Sequence, residues 1–226
     1  MFDKFGENKT TGMESTILKK KKSTAQKTID IIVGDQVLKG ARPPMLDEEF
    51  FELCRNNPDA RIEQDQYGNI NVMSPVSYNS GNFEAEILGD LIIWNRKTKL
   101  GKTFSPSTLF VLPDGQKRMP DAAWISNEKH NKLPPEEREQ FAAIVPDFVI
   151  EVRSPSDELE ALQRKMTEAW LANGVRLAWL IDPVEKKAWS YKPGREPLFF
   201  KNFDATLSGE DVLPGFELKL SEIIEE

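Results

Sequence analysis

The stretch Phe148-Val149-Ile150-Glu151-Val152-Arg153 places a carboxylate inside a run of β-branched and aromatic residues. Such a run reads as a buried strand whose successive side chains point to opposite faces of a sheet. Phe148, Ile150 and Val152 then share one face, and Val149, Glu151 and Arg153 share the other. A carboxylate removed from water is costly unless a cation or hydrogen bonds compensate. Glu151 has two such compensations open to it. It can pair structurally with Arg153 or another base, or it can face a divalent metal beside a second carboxylate.

Working outward, the second carboxylate candidate is Asp121 in Met119-Pro120-Asp121-Ala122-Ala123-Trp124-Ile125, which opens an apolar strand 30 residues before Glu151. Two strands that bring these acids together would form an oxygen-rich site suited to Mg²⁺ or Mn²⁺. After Glu151, Ser154-Pro155-Ser156-Asp157 has the form of a capping box, with Ser154 at the N-cap and Pro155 at N1. It predicts a long helix with a buried stripe of Leu159, Leu162, Met166, Ala169 and Trp170. Lys165 lies at the edge of that stripe, from which its amine could reach the Glu151 end of the strand. Val175 to Asp182 reads as another buried strand, ended by Pro183.

Upstream, LDEEFFELCRN spaces Phe50, Leu53 and Cys54 along one helical face. RIEQDQYGNINV reads as a hairpin turning at Tyr67-Gly68-Asn69. A helix is predicted over about 82–99, closed by Gly101 as a C-cap. It places Glu84 on the face of Leu88 and Leu91, with Glu86 just before the apolar stripe. Strands are expected near 103–105, 108–112 and 119–125, then a polar loop with a short helix from Pro134. Strand candidates near 187–192 and 197–202 precede an acidic end. The order predicts an α/β or α+β domain with a mixed sheet, entered through an N-terminal helix and hairpin.

Composition narrows the chemistry. The chain has 226 residues and a net charge of −7, enough for one sizeable core. Residues 1–40, with the run Lys19 to Lys22, read as a polar leader, and residues 41–226 as one domain. No apolar run is long enough for a membrane span, and the start MFDKFGENKT lacks a signal core, so a cytoplasmic protein is expected. One cysteine excludes an internal disulfide and a cysteine zinc cluster, and one histidine excludes a His-rich centre. Leu100-Gly101-Lys102-Thr103 lacks the earlier glycine of a phosphate loop, and there is no G-x-S-x-G. DNA would have to be met by local positive charge, for which Arg96, Lys97, Lys99, Lys102, Lys117 and Arg118 are candidates.

Taken in order, Met119-Pro120-Asp121, Pro146-Asp147-Phe148-Val149-Ile150-Glu151-Val152-Arg153-Ser154-Pro155-Ser156-Asp157, Gln163-Arg164-Lys165-Met166, Asn173-Gly174-Val175 and Trp179-Leu180-Ile181-Asp182-Pro183 resemble the Uma-type family of restriction endonucleases. The resemblance covers roughly residues 45 to 220. It implies the restriction-endonuclease-like fold of the PD-(D/E)xK superfamily, a mixed central sheet flanked by helices. It also implies a Mg²⁺-dependent endonuclease acting on DNA. Asp121 and Glu151 match the two acids of that pattern, and the resemblance points to Glu86, rather than Glu84, as the acid on the first core helix. The metal would be held by Asp121, Glu151, Glu86 and the carbonyl of Val152.

One departure is plain: Arg153 stands where the superfamily usually has lysine. Arginine stays charged and cannot act as a base, though it can stabilise phosphorane-like charge. Uma-type members look as though they supply the lysine from the following helix, where Lys165 matches, so Lys165 and Arg153 complete the catalytic candidates. The alternative is a noncatalytic DNA-binding or protein-interaction member in which Glu151 and Arg153 form an ion pair. Trp189, Tyr191, Phe199 and Phe200 on the late strands are candidates for a homodimer interface.

Overall fold

A computed structural model describes residues 45–224; the expectations for the polar leader, including Lys19 to Lys22, lie outside the described residues. The chain opens with α1 (Asp47–Asn56), which buries Phe50, and continues into the hairpin of β1 (Arg61–Gln64) and β2 (Ile70–Met73). Asp65 organises the hairpin tip. Its Oδ1 accepts the amides of Tyr67 at 2.8 Å and Asn69 at 2.9 Å, and Gly68 takes the positive φ of 79° that the turn requires.

Next comes α2 (Tyr78–Thr98), which starts earlier than the predicted residue 82 because the Ser77 side chain caps it by accepting the Ser80 amide. It also ends differently. Lys99, not Gly101, takes the left-handed C-cap conformation at φ 55°. Gly101 instead opens β3 (Gly101–Phe104), where an added Cβ would lie 2.2 Å from the Ile125 carbonyl oxygen. Its smallness serves a close strand contact rather than a helix end.

The strand expected over 108–112 is the short β4 (Phe110–Val111), the one expected over 119–125 starts later as β6 (Ala122–Ser126), and an unpredicted β5 (Lys117–Arg118) lies between them. β4 and β5 join the hairpin in a small antiparallel sheet, whereas β6 joins the main sheet. α3 (Asn127–Lys132) occupies the start of the expected polar loop, and a 3₁₀ turn over Pro135–Glu139 supplies the short helix expected from Pro134. β7 (Phe148–Val152) is buried throughout.

The capping box after Glu151 does not start a helix. Asp157 Oδ2 accepts from the Ser154 amide at 2.8 Å and from its hydroxyl at 2.7 Å, which closes a turn. α4 (Leu159–Arg164) begins two residues later and passes into a π-helical segment, Lys165–Leu171. β8 (Leu177–Asp182), β9 (Lys187–Tyr191) and β10 (Leu198–Phe200) follow. The acidic end is more than surface: β11 (Thr206–Ser208) and β12 (Glu217–Lys219) form a hairpin whose Leu207, Leu213, Phe216 and Leu218 are buried.

The main sheet has the order β10-β9-β8-β7-β6-β3, and only the β7–β8 pair within it is parallel. It is the mixed α/β arrangement expected from the element order. Strand alternation sorts its two faces. Phe148, Ile150 and Val152 pack with Ile87, Leu91 and Trp94 of α2 and with Phe216. Val149 faces the other way, onto Met166, Ala169 and Trp170 of the π segment. Glu151 shares that second face. At about 25 cal/mol per Å² of apolar surface removed from water, these two layers supply the main drive for folding.

Candidate functional site

β6 and β7 run antiparallel with Ala122 opposite Ile150, so the residue before one meets the residue after the other. Thirty residues apart in sequence, Asp121 and Glu151 become cross-strand neighbours on one face. Asp121 Oδ2 accepts the amide of Val152 at 2.7 Å. Glu151 is 3% exposed and accepts the Trp170 indole N–H on Oε1 at 2.8 Å. Lys165 Nζ lies 2.9 Å from the same oxygen and 3.1 Å from Oε2.

The π segment explains how Lys165 and Trp170 reach one carboxylate. In an α-helix, residues five apart point about 140° from each other. The wider winding, marked by i→i+5 bonds such as Ala172 N–H to the Thr167 carbonyl, narrows that angle. Lys165 Nζ also stands 5.9 Å from the Trp170 ring centroid, an added cation–π contact.

A further carboxylate stands behind Lys165. Glu63, in the middle of β1 and 1% exposed, accepts from Lys165 Nζ at 3.0 Å, from the Met119 amide at 2.7 Å and from Arg118 at 3.2 Å. Burial raises the pKa of Glu63, but Lys165, Arg118 and the Met119 amide outweigh it and hold the carboxyl below its ordinary range. Lys165 is shifted up because Glu151 and Glu63 overcome the desolvation that would lower it. Asp121 and Glu151 go the other way. Burial, aided by the charge of Glu84, pushes Asp121 up to about 7. Burial also pushes Glu151 up to about 7, against the pull of Lys165.

Glu63, Arg118, Asp121, Glu151 and Lys165 line one cavity of about 530 Å³. Carboxylates outnumber cations on its wall, and Glu84 joins them from α2. The Uma2 family, described as "Putative restriction endonuclease", matches residues 47–221. This chain belongs to the Uma2 family. No curated protein matches it. Among solved structures it is similar to "a putative nuclease belonging to DUF820" from Anabaena variabilis, at 21% identity and a TM-score of 0.66, covering 80% of this chain and 97% of that one. The nuclease-like fold expected from the sequence is therefore present.

Within this Uma2 chain the structure brings Asp121, Glu151, Val152 and Lys165 to the cavity but leaves two site candidates outside it. Arg153 turns away to Asp182, with Nη1 2.7 Å from Oδ2, because the parallel β7–β8 register sets the end of one strand beside the end of the other. Glu86 is exposed, since helical rotation from the buried Ile87 carries it off the inner face, while Glu84, Ile87, Leu91 and Trp94 share that face. Glu84 is therefore the α2 acid at the site.

The proposed basic surface is also revised. Lys117 is 1% exposed and is held by the carbonyls of Met45 and Gly115, by Gln64 and by Asp47. Arg118 is engaged by Glu63 and Gln116. Arg96, Lys97, Lys99 and Lys102 are exposed, yet Lys97 lies about 20 Å along α2 from Glu84. Glu63 went unmarked in the sequence because RIEQ shows only one apolar residue. Its signal was an acid centred in a strand of a hairpin with both faces covered.

The residues fit a hard divalent cation. Asp121 and Glu151 present two carboxylates to the cavity, and Mg²⁺ takes one or two carboxylates and completes its shell with water and phosphate; among the described residues no three acidic, His or Cys side chains are grouped to enclose an ion. Burial first, and neighbouring carboxylates second, raise Asp121 and Glu151, so their ionised forms would gain from a bound cation.

Proposed function

We propose that this protein is a Mg²⁺-dependent endonuclease that hydrolyses DNA phosphodiester bonds, with Mn²⁺ able to replace Mg²⁺. The observation that carries the reading is the convergence of Asp121, Glu151 and Lys165 on one open cavity. Asp121, Glu151 and the Val152 carbonyl would hold the metal, and Glu84, rather than the Glu86 that the resemblance pointed to, lines the same cavity. Bound there, a divalent cation would polarise the phosphate and lower the pKa of a coordinated water.

The chain's own part is positional and electrostatic. Val152 N–H fixes the Asp121 carboxylate, and Trp170 N–H fixes that of Glu151. Lys165, kept cationic between two carboxylates, orients the attacking water or stabilises charge that develops on the phosphate. Arg153 takes no part, because Asp182 holds it at the end of β8. In the noncatalytic reading Glu151 pairs with Arg153; Arg153 pairs with Asp182 instead, and the base beside Glu151 is Lys165.

A homodimer is part of the same proposal. Among the described residues β10 ends the main sheet with one side unpaired, and Leu198 and Phe199 on it are 60% and 52% exposed. A second copy could pair edge to edge there, by the isologous symmetry of most dimers. Tyr191 is buried and drops out of that surface. Among the described residues no helix is long and apolar enough to cross a membrane.

The test is Mg²⁺ or Mn²⁺ calorimetry on wild type and Glu151→Ala, with plasmid cleavage in the same samples. Binding and cleavage by wild type, both lost in the variant, are the expected result. Folded wild type that neither binds millimolar metal, the order of weak Mg²⁺ sites, nor cuts DNA would overturn the reading.

A further inference from the structure

Four cations line the cavity: Arg61, Arg118, Arg164 and Lys165. Lys165 is divided between Glu151 and Glu63, and Arg118 between Glu63 and Gln116. Arg164 stands in solvent on the rim. Arg61 differs from all three. It is the first residue of β1 and is half-buried. Its Nη2 donates to the Pro106 carbonyl at 2.7 Å, which fixes the plane of the guanidinium. Its Nε is buried and has no acceptor, and Arg61 joins no ion pair among the described residues.

That combination is unusual for an arginine beside so many acids. Its charge acts on both Glu84 and Asp121, yet it bonds to neither. Buried N–H groups in native proteins nearly always have a partner, and Arg61, on the cavity wall, keeps donors beyond its bond to Pro106 that no described residue accepts. Gln64 Nε2 and Trp179 Nε1 are also without partners, but neither lies on the cavity wall. The guanidinium fork matches the paired oxygens of a phosphate better than any other common ligand group.

We propose that Arg61 is the phosphate receptor of this cavity, binding a phosphodiester of the nucleic-acid substrate through the donors its protein neighbours leave free. This rests on the nuclease reading and adds to it the residue that seats the backbone. Arg61 is near enough to act on Glu84 and Asp121 across the shared cavity wall, so a phosphate bound to it would lie beside the acids of the metal reading.

The probe is a nucleoside 3′,5′-bisphosphate, titrated by calorimetry with Mg²⁺ in excess and again with EDTA. Arg61→Gln should weaken binding about tenfold or more, the loss of one charge-assisted bidentate contact. Arg61→Lys, which keeps the charge without the fork, should recover only part of it. Arg164→Gln on the rim should bind as wild type. Because a β1 variant can fail to fold, a second measurement uses wild type alone: the bisphosphate should protect Arg61 from an arginine-specific dicarbonyl reagent, read by peptide mapping.

No binding by wild type in either condition overturns the proposal, as does equal binding by folded Arg61→Gln or unprotected Arg61. Plasmid cleavage in the same samples separates the two ideas. Cleavage with Arg61-independent probe binding sinks the receptor and spares the nuclease. Arg61-dependent binding without cleavage at any metal concentration keeps the receptor and sinks the nuclease.

Discussion

Glu63 and Glu151 hold Lys165 from two sides, one from the hairpin and one from the main sheet. Removing one partner of a buried ion pair strands the other, at a cost of about 3–5 kcal/mol. Glu63→Gln keeps an acceptor for the Met119 amide but removes the charge shared by Lys165 and Arg118, so urea unfolding should show a loss of about 3 kcal/mol. Cleavage should fall with it, by about tenfold or more, as Lys165 loses its second anchor. Asp121 and Glu151 make a pH prediction. Both have folded-state pKa values raised to about 7, above their unfolded values, so folding takes up protons. Their contribution to stability is complete below the unfolded values and is lost as pH rises through about 7. Metal-free protein should therefore melt at lower temperature at about pH 8 than at about pH 5, by this linkage. Asp121→Asn should flatten the slope, and Mg²⁺ should narrow it by binding the ionised pair. A slope unchanged in both tests would contradict the assignment.

Among the elements, β3 shows how a contact decides what a residue does. Gly101 reads as a helix C-cap, yet it lies against the Trp124 ring and the Ile125 carbonyl, with Asn95 bonding its backbone on both sides. Gly101→Ala should cost about 1–3 kcal/mol through overpacking, measured as a drop in the denaturation midpoint. If the residue acted as a cap alone, the change would be milder. The π segment follows the same logic: an apolar stripe predicts a helix, and Met166, Ala169 and Trp170 are buried as that stripe requires. Its winding was not legible, because i→i+5 bonding is chosen by what Lys165 and Trp170 must reach. The Ser154-Asp157 motif has the form of a cap but closes a turn, since the Ser154 hydroxyl donates to Asp157 instead of accepting the Asp157 amide, which bonds the Ser154 carbonyl.

For the whole molecule, the main sheet ends at β10, where Trp189 and Phe199 stack at 5.3 Å with Phe199 half in solvent. Phe199→Glu should convert the proposed dimer to monomer in sedimentation equilibrium while leaving metal binding intact. A monomeric wild type would remove the dimer and leave the site reading standing. The alternation of Phe148 to Val152, the helical stripes and the ordered motifs determined the layers, the family and the pair Asp121 and Glu151, because period and residue type are local properties. What lay between strands was decided only in three dimensions. The β6–β7 register made cross-strand neighbours of two distant acids, the β7–β8 register drew Arg153 to Asp182, and the hairpin carried Glu63 and Arg61 to the cavity. Each depends on which chain segments share a boundary, and a carboxylate's partner is set by distance in space rather than by position along the chain.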